Sequence, residues 1–600
     1  MAHKTLIDGT AYNVVSGTSM VSGVQYNIVG GKTLVSGTGY DIGFGSSKTA
    51  MLYSDGNFVF QDSDDVAPGK SLVASYTGFE DMYRPPWNGQ QESFTSVSFD
   101  TEVTPTDMSM WFEDATNMFA NINDFRNLNM NNVTDMYYTY SNCRNLRGSP
   151  ICGEKVERMD HTYQNCWNIT GSPVCGPNVT DMFWAYAACY NLTGSPVCGD
   201  KVESMYAAYL ICSGITGSPV CGPNVKQMGF AYEGCWNLRG SPVCGPNVMY
   251  MRGAYEECSN LTGSPVCGDK VEDMAYTYQN CYNLTGSPVC GNSVTNMEYT
   301  YYNCYGLNGQ PVCGNSVTNM EYTYYNCSNL TGSPVCGPNV TDMYCTYSNC
   351  RNLRGSPVCG DNVIYMAYAY QNCYNLTGSP VCGDNVISMF CTYYGCSNLR
   401  GQPVCGDNVI YMTYAYRDCY NIRGNPACGN SVTNMLSAYS SCYNLNGQPV
   451  CGDSVVNMCL AYSQCFNLTG SPVCGHNVTD MYGAYYNCYN LTGQPVCGQN
   501  VVNMCMTYAN CYDLKGNAYF YSPYVEDASE CFLGRNTSNR LNIYVKANSA
   551  TYYSIYDSEN SIVGGSITWT NRGSYRYNRS YNIYIYPVSN VAAARANNGD

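Results

Sequence analysis

The chain lacks most of what chemistry is built from. Only three histidines, His3, His161 and His476, occur in 600 residues. No C-x-x-C pair, phosphate loop, H-E-x-x-H or nucleophile elbow is present, so neither zinc nor covalent catalysis has a foothold. Charged residues are only 12%, and net charge is −16 from 28 basic and 44 acidic side chains. That balance excludes the basic footprint that a nucleic-acid partner needs. No apolar run reaches the ~18–20 residues of a membrane span. No apolar stretch and cleavage site follow Met1. The expectation is a chain that stays where it is made, or leaves by lysis or an unusual route. No enzyme activity, cofactor or metal is expected. The acidic run Asp62-Ser-Asp-Asp65 reads as a solvated loop.

What the chain does have is repetition. A block of 23 residues recurs without insertion from Met136 to about residue 520, opened by 17 methionines in register. With methionine as position one, the consensus is M-x-x-[AT]-Y-x-N-C-x-N-L-[TR]-G-[SQ]-P-V-C-G-[DPN]-[NKS]-V-x-x. A fixed period of this size means a solenoid whose units share one core. The sixty tyrosines, with abundant Asn, Gly and Ser, resemble a surface of rigid aromatics and small polar groups.

Met343, Thr346, Tyr347 and Cys350 fall at i, i+3, i+4 and i+7, which predicts a short helix, with Asn339 able to cap its start. Val340 extends that stripe backwards, and Leu353 should point inward behind it. Ser-Pro-Val-Cys is extended between Gly355 and Gly360. Its proline denies a ladder hydrogen bond, so the strand shrinks to about Val358-Cys359, and either residue can face the core. Strands stack at ~4.8 Å but helices want ~8–10 Å, so the helical side should splay. The class is an α/β solenoid of 23-residue leucine-rich-like repeats, a short helix plus a short strand, with β-rich caps. Tyr140, Tyr163, Tyr186 through Tyr508 never vary and should stack in the core, each hydroxyl reaching backbone or Asn. The Asn five residues later, present in 14 of 17 blocks, should bind loop backbone.

Four regions result: hairpin repeats at 1–48, a β-rich cap at 49–105, the solenoid at 106–520 and a second β-rich cap at 521–600. The first holds three copies of a 14-residue unit, such as Lys32-Thr-Leu-Val-Ser-Gly-Thr-Gly-Tyr40. Each reads as strand, tight turn, strand. Leu52 to Phe60 reads as a hairpin around Asp55-Gly56, and Pro85-Pro86-Trp87 as a loop. Residues 106–135 are degenerate repeats. Arg540 to Val545 and Tyr581 to Tyr586 alternate as strands, and 590–600 reads as frayed.

Of 38 cysteines, 17 lie in the predicted helix and 16 in the extended segment. A buried free cysteine packs as a small apolar group, and the missing export signal favours a reduced ladder over disulfides. His161 is expected on the outer face and His476 in a loop. The Asn-x-Thr triplets recur because the block recurs. Positions two, three, six and nine vary while the core columns do not. The candidate binding residues are therefore Tyr138, His161, Trp184, Phe230, Tyr299 and Tyr322 at position three, and Arg144, Trp167, Tyr190 and Trp236 at position nine.

Asn132-Val-Thr-Asp-Met136, Tyr140-Ser-Asn-Cys143 and Asn145-Leu146 resemble the BspA-like leucine-rich repeats of the Treponema pallidum type. The resemblance covers about 106–545 and departs from the family at Gly-Ser-Pro-Val-Cys-Gly. It implies surface display and adhesion. The N-terminal repeats resemble short modules of tail-associated proteins from phages of Gram-positive bacteria. Together they imply a phage virion adhesin, with a host cell-surface glycan or protein as partner. Residues 1–48 would join it to other virion proteins. No nucleic-acid or membrane partner is expected, and the repeats leave room for a homo-oligomer. The alternatives are a cell-surface BspA-like adhesin of a bacterium or protist, and a structural spacer or fibre.

Overall fold

The computed structural model describes residues 48–557 and 559–599 in full, and the backbone of six short strands before them. The chain forms two compact units, Met1–Ile169 and Thr170–Asp600. In the first, β1 (Lys4–Ile7) pairs antiparallel with β2 (Thr10–Asn13), β3 (Thr18–Val21) with β4 (Val24–Asn27), and β5 (Gly31–Val35) with β6 (Thr38–Ile42). Each 14-residue unit is thus one hairpin. The turn residues and the expected packing of these hairpins lie outside the described residues.

β7 (Thr49–Tyr53), β8 (Asn57–Gln61), β9 (Leu72–Thr77) and β10 (Ser96–Phe99) form a sheet of order β10-β8-β7-β9. The Asp55-Gly56 hairpin is there, and β10 joins it in parallel. Alternation along β8 turns Phe58 and Phe60 inward, onto Phe94 and Phe99. Trp87 is fully buried, and its indole N–H donates to the Trp111 carbonyl at 2.7 Å. The Pro85-Pro86 loop therefore delivers a core anchor.

The repeat is a solenoid, but its first eight residues are not a helix. They form successive tight turns. In the block at Met343, the amides of Thr346, Ser348 and Cys350 donate to the carbonyls of Met343, Cys345 and Tyr347, each three residues back. Position three and position seven have positive φ, 54° at Cys345 and 64° at Asn349, as the third residue of a type II turn requires. These residues turn the intervening amides along the stack. Those of Met343, Cys345, Tyr347 and Asn349 donate to the carbonyls of Tyr365, Ala367, Ala369 and Gln371, one level along the stack. Of the segment's eight amides, three close turns, four join successive levels of the stack, and that of Tyr344 donates to Asp342 Oδ1. Turns of this kind are thin enough to stack at a strand-like spacing, which helices are not. The expected splaying of a helical side loses its basis.

The stripe of positions one, four, five and eight still faces inward, because tight turns bring the same residues to one side. Met343, Thr346, Tyr347 and Cys350 have no exposed surface, and Val340 and Leu353 complete the wall. The position-five rings stack as expected. Tyr140 meets Tyr163 at 5.3 Å in the first unit. In the second, neighbours such as Tyr324 and Tyr347 lie 5.4 Å apart and within 8° of parallel.

The extended segment is not a strand in most blocks. The Tyr347 hydroxyl donates to the Val335 carbonyl at 2.7 Å and accepts from the Val335 amide at 3.1 Å. Both ladder groups of the valine are thereby used across the inside of the coil. Neither Val335 nor Cys336 faces the core fully; Pro334 does, and the other two are half-buried. The sheet-like contact sits elsewhere, at position 23, where single parallel bridges link successive blocks such as Asp342 with Tyr365 and Tyr365 with Ser388. Gly406 allows the close approach opposite: a Cβ there would lie 2.8 Å from the Gly383 carbonyl oxygen.

Asparagine serves this architecture three ways. At position seven it tolerates positive φ and forms a side-chain ladder, Asn326 to Asn303 at 2.8 Å. At position ten, Asn375 donates to the Arg351 carbonyl of the preceding block at 2.8 Å, the backbone role expected of it. At position 20, Asn339 binds the Asn315 carbonyl one block back, where a helix cap was expected.

The second unit ends in a six-stranded sheet. β11 (Val496–Cys497), β12 (Gly516–Phe520), β13 (Leu541–Lys546) and β16 (Ile583–Val588) run parallel in that order. β15 (Arg576–Asn578) and β14 (Thr570–Asn571) extend it antiparallel. Helix α1 (Ala550–Tyr556) starts at a Ser549 cap. Helix α2 (Val591–Asn598), capped by Asn590, replaces the frayed tail expected from the sequence.

A helix and a pair of positive-φ turns respond oppositely to substitution at position seven. Asn349→Gly should change stability by less than about 1 kcal/mol, whereas Asn349→Val should lose ~1–2 kcal/mol to backbone strain. Chemical denaturation of both variants checks this. In a helix the glycine would be the worse of the two.

Candidate functional site

The ten residues selected from the sequence divide into two columns with different environments. Position three carries backbone strain, with φ of 53° at Tyr138, 57° at Trp184, 55° at Phe230 and 52° at Tyr322. Its side chains are half-buried rather than presented. Tyr138 stacks on His161 at 4.2 Å, and the His161 Nδ1 lies 2.7 Å from Gln164 Oε1, so His161 is not a solvated surface group. Tyr299 stacks on Tyr276 at 5.0 Å and on Tyr322 at 4.5 Å. Phe230 lies against Gly253, where a Cβ would come within 2.4 Å of its ring. Position two and position six interleave with this column, as Tyr302 does with Tyr299 at 5.3 Å. These rings pack mainly on neighbouring blocks.

Position nine is the exposed ridge. Arg144 and Trp167 share it in the first unit, the guanidinium 4.6 Å from the indole centre. In the second, Tyr190 is 41% and Trp236 49% exposed. Towards the C-terminus, Tyr420, Tyr443, Phe466, Tyr489 and Tyr512 form an unbroken stack at 4.8–5.2 Å, within 7° of parallel. Stacked rings offer a ligand only their edges. Trp236 differs, because its neighbours in the column are Ser213 and Ser259. Its indole faces are not closed by rings above and below. An open aromatic face is what stacks on a sugar or an apolar side chain.

A second exposed strip was not foreseen. Position 22 precedes the bridge column and points outward. From Thr295 to Val502 it is Thr, Ile or Val in every block. Ile364, Ile387 and Ile410 are exposed, and the first two border an open trough with Asn339, Asn362 and Asn385. The threonine hydroxyls are used inside the stack: Thr341 donates to the Thr318 carbonyl at 3.2 Å. Ten consecutive β-branched residues were the available signal, hidden because positions 22 and 23 looked like unpatterned filler.

The cysteine columns are free thiols throughout the chain. Those at position eight act as donors: the Cys350 thiol reaches the Tyr324 carbonyl at 3.0 Å, and Cys373 repeats this with Tyr347. A disulfide would forfeit those bonds. Burial pushes the thiols up, to about 12 even in the half-buried column at Cys221 and Cys359. Among the described residues no three His, Cys, Asp or Glu side chains converge as a metal site. No described helix is long and apolar enough to cross a membrane. The recurrent Asn-x-Thr triplets carry amides already spent, as in Asn375 above. His476 is exposed in its loop, as expected.

A family model described as "Mycoplasma protein of unknown function, DUF285" matches residues 89–173, the degenerate repeats and the first regular block. Among solved structures, the chain is similar to a leucine-rich repeat protein from Bacteroides ovatus. Identity is 13% and the TM-score 0.36, over 63% of this chain and 88% of that one. It is also similar to a leucine rich cell surface protein from Faecalibacterium prausnitzii, at 10% identity and a TM-score of 0.20, over 78% and 93% of the two chains. No curated protein matches. None of these is described as a phage tail protein, and the resemblance of the N-terminal repeats to such proteins is not shown.

The raised thiols make a measurable statement. Native protein titrated with a thiol reagent should give few reactive groups at pH 7 and no large rise by pH 9, although an ordinary cysteine ionises near ~8.5. Unfolding without reductant should then release most of the 38. Failure to release them would mean that the columns are disulfide-bonded.

Proposed function

We propose that this protein is a non-enzymatic repeat adhesin acting at a cell surface, and that it binds a glycan or protein partner through the position-nine ridge. The single observation that supports this is Trp236. It is large, apolar and half exposed, and it has serine on both sides in its column. A buried core has no use for that arrangement, and exposed rings recur along the same position at Tyr190, Tyr282, Tyr305 and Tyr374, a strip of the kind that marks an interaction surface. Repetition supports the same reading. Equivalent groups at fixed spacing multiply weak contacts into avidity when the ligand also repeats.

The cell-surface reading is favoured over the virion reading. The repeat body and the DUF285 match concern the solenoid, whereas the virion reading rests on the N-terminal hairpins alone. If those hairpins attach the protein, they do so to whatever surface displays it.

Replacing Tyr190 and Trp236 together with Ser should leave the unfolding midpoint nearly unchanged, since neither ring joins the core columns. Binding of the full chain to cells should fall about tenfold or more, as for loss of a central aromatic anchor. The same double substitution at Tyr443 and Tyr489, inside the closed stack, should reduce stability instead. Equal binding by the Tyr190/Trp236 variant removes the ridge from the function.

A further inference from the structure

The C-terminal sheet carries a surface unlike the rest of the molecule. One face of β13 and β16 is apolar core: Leu541, Ile543, Val545, Ile583 and Ile585 are fully buried. The alternate residues stand on the other face. Register places Tyr519, Tyr544 and Tyr586 in one row, and Tyr584 and Tyr577 in the next; Tyr519 is buried against α2, its hydroxyl accepting from Asn598 Nδ2 at 2.9 Å, so the half-exposed rings begin at Tyr544. Neighbouring rings close on one another, Tyr544 lying 5.0 Å from Tyr519 and 4.9 Å from Tyr586. Tyr575 adds its ring 5.4 Å from Tyr586.

Arginine lies over this carpet. The Arg540 guanidinium sits 3.9 Å from the centre of the Tyr584 ring. Its Nε donates to Asn542 Oδ1 at 2.8 Å and its Nη2 to the Tyr586 hydroxyl at 2.9 Å. Two of its five N–H donors are thereby used, and the fork is held in place with three unspent. Arg572 lies 5.7 Å from the Tyr577 ring. Among the described residues neither arginine has a carboxylate in ion-pair distance. No acidic residue occurs in 531–556 or 560–599, although the chain as a whole is strongly acidic. An exposed, pre-oriented guanidinium without a carboxylate of its own is a recognition element for an anion.

We propose that this face binds an acidic polysaccharide, a sugar chain bearing carboxylates at intervals. The arginines take the carboxylates, and the tyrosine hydroxyls take the sugar hydroxyls. Single-stranded nucleic acid fits less well. Bases need open ring faces to stack on, and here the tyrosine faces are covered by each other or by arginine. The site is independent of the position-nine ridge.

The test uses the full chain and polygalacturonate, compared with the same polymer methyl-esterified to remove its charge, and with oligothymidylate. Polygalacturonate should bind, weaken with added salt, and lose about tenfold or more in affinity in Arg540→Gln. Arg572→Gln, on an exposed hairpin, should lose affinity in the same direction, which keeps the test valid if the first variant misfolds. Arg540→Lys should be intermediate, since charge remains but the fork is lost. The Tyr190/Trp236 double variant should bind polygalacturonate normally. Equal affinity for the esterified polymer, unchanged binding in both glutamine variants, or preference for oligothymidylate would overturn the proposal.

Discussion

Everything in the repeat depends on one side chain reaching across the coil. The position-five tyrosine hydroxyl gives and takes a hydrogen bond with the same valine twelve residues earlier, as Tyr301 does with Val289. Proline at position 15 has already denied the extended segment a regular ladder. Without the hydroxyl, a valine amide and carbonyl would be left unsatisfied at every level, each at a cost of ~1–3 kcal/mol. With it, the segment needs no strand partner, and the ring itself fills the core. The outermost blocks of the repeat fit this account. Phe112 and Phe532 stack on the outermost tyrosines at 5.5 and 5.7 Å, in degenerate blocks. Behind Phe532 the extended segment is β12, which satisfies its backbone in a true parallel sheet. Behind Tyr140 the block is degenerate and offers no such valine, and its hydroxyl is buried without a partner.

This division of labour also explains what the sequence revealed and what it hid. The period, the inward columns, the role of the position-ten asparagine and the strands of both caps were legible, because burial and alternation write directly into residue type. The helix was misread because spacing at i, i+3, i+4 and i+7 does not distinguish a helix from consecutive tight turns. The distinguishing signal lay in the intervening residues. Position seven is Asn in nine of 17 blocks and Gly at Gly234 and Gly395, and position three is Gly at Gly253 and Gly483. These are residues chosen for positive φ, not for helix. Tyr, Asn, Thr and Cys are also poor helix formers as a set.

The candidate surface was legible in part. Variation between blocks marked position nine, which is exposed, but it marked position three equally. Variability there reflects half-buried rings that repack with each neighbour. The exposed β-branched strip at position 22 is hidden in a 17-block consensus because Glu, Lys and Met occupy the position in most blocks before Thr295; only the last ten are uniformly β-branched. In a repeat protein a constant residue can be constant because the same outward surface is wanted at every level. The arginine-bearing tyrosine face of the C-terminal sheet was invisible until register put Tyr544 beside Tyr586 and Arg540 above Tyr584.

The hydroxyl account is tested most directly by removing the position-five oxygen in two blocks where its surroundings differ. Unfolding of Tyr347→Phe and Tyr140→Phe should be compared with the parent chain. Tyr347→Phe strands the Val335 amide and carbonyl and should lose ~1–3 kcal/mol. Tyr140→Phe removes an already unpartnered buried hydroxyl and should be neutral or stabilising. Equal losses at the two sites, or none at Tyr347, would show that the hydroxyl bridge does not hold the coil together.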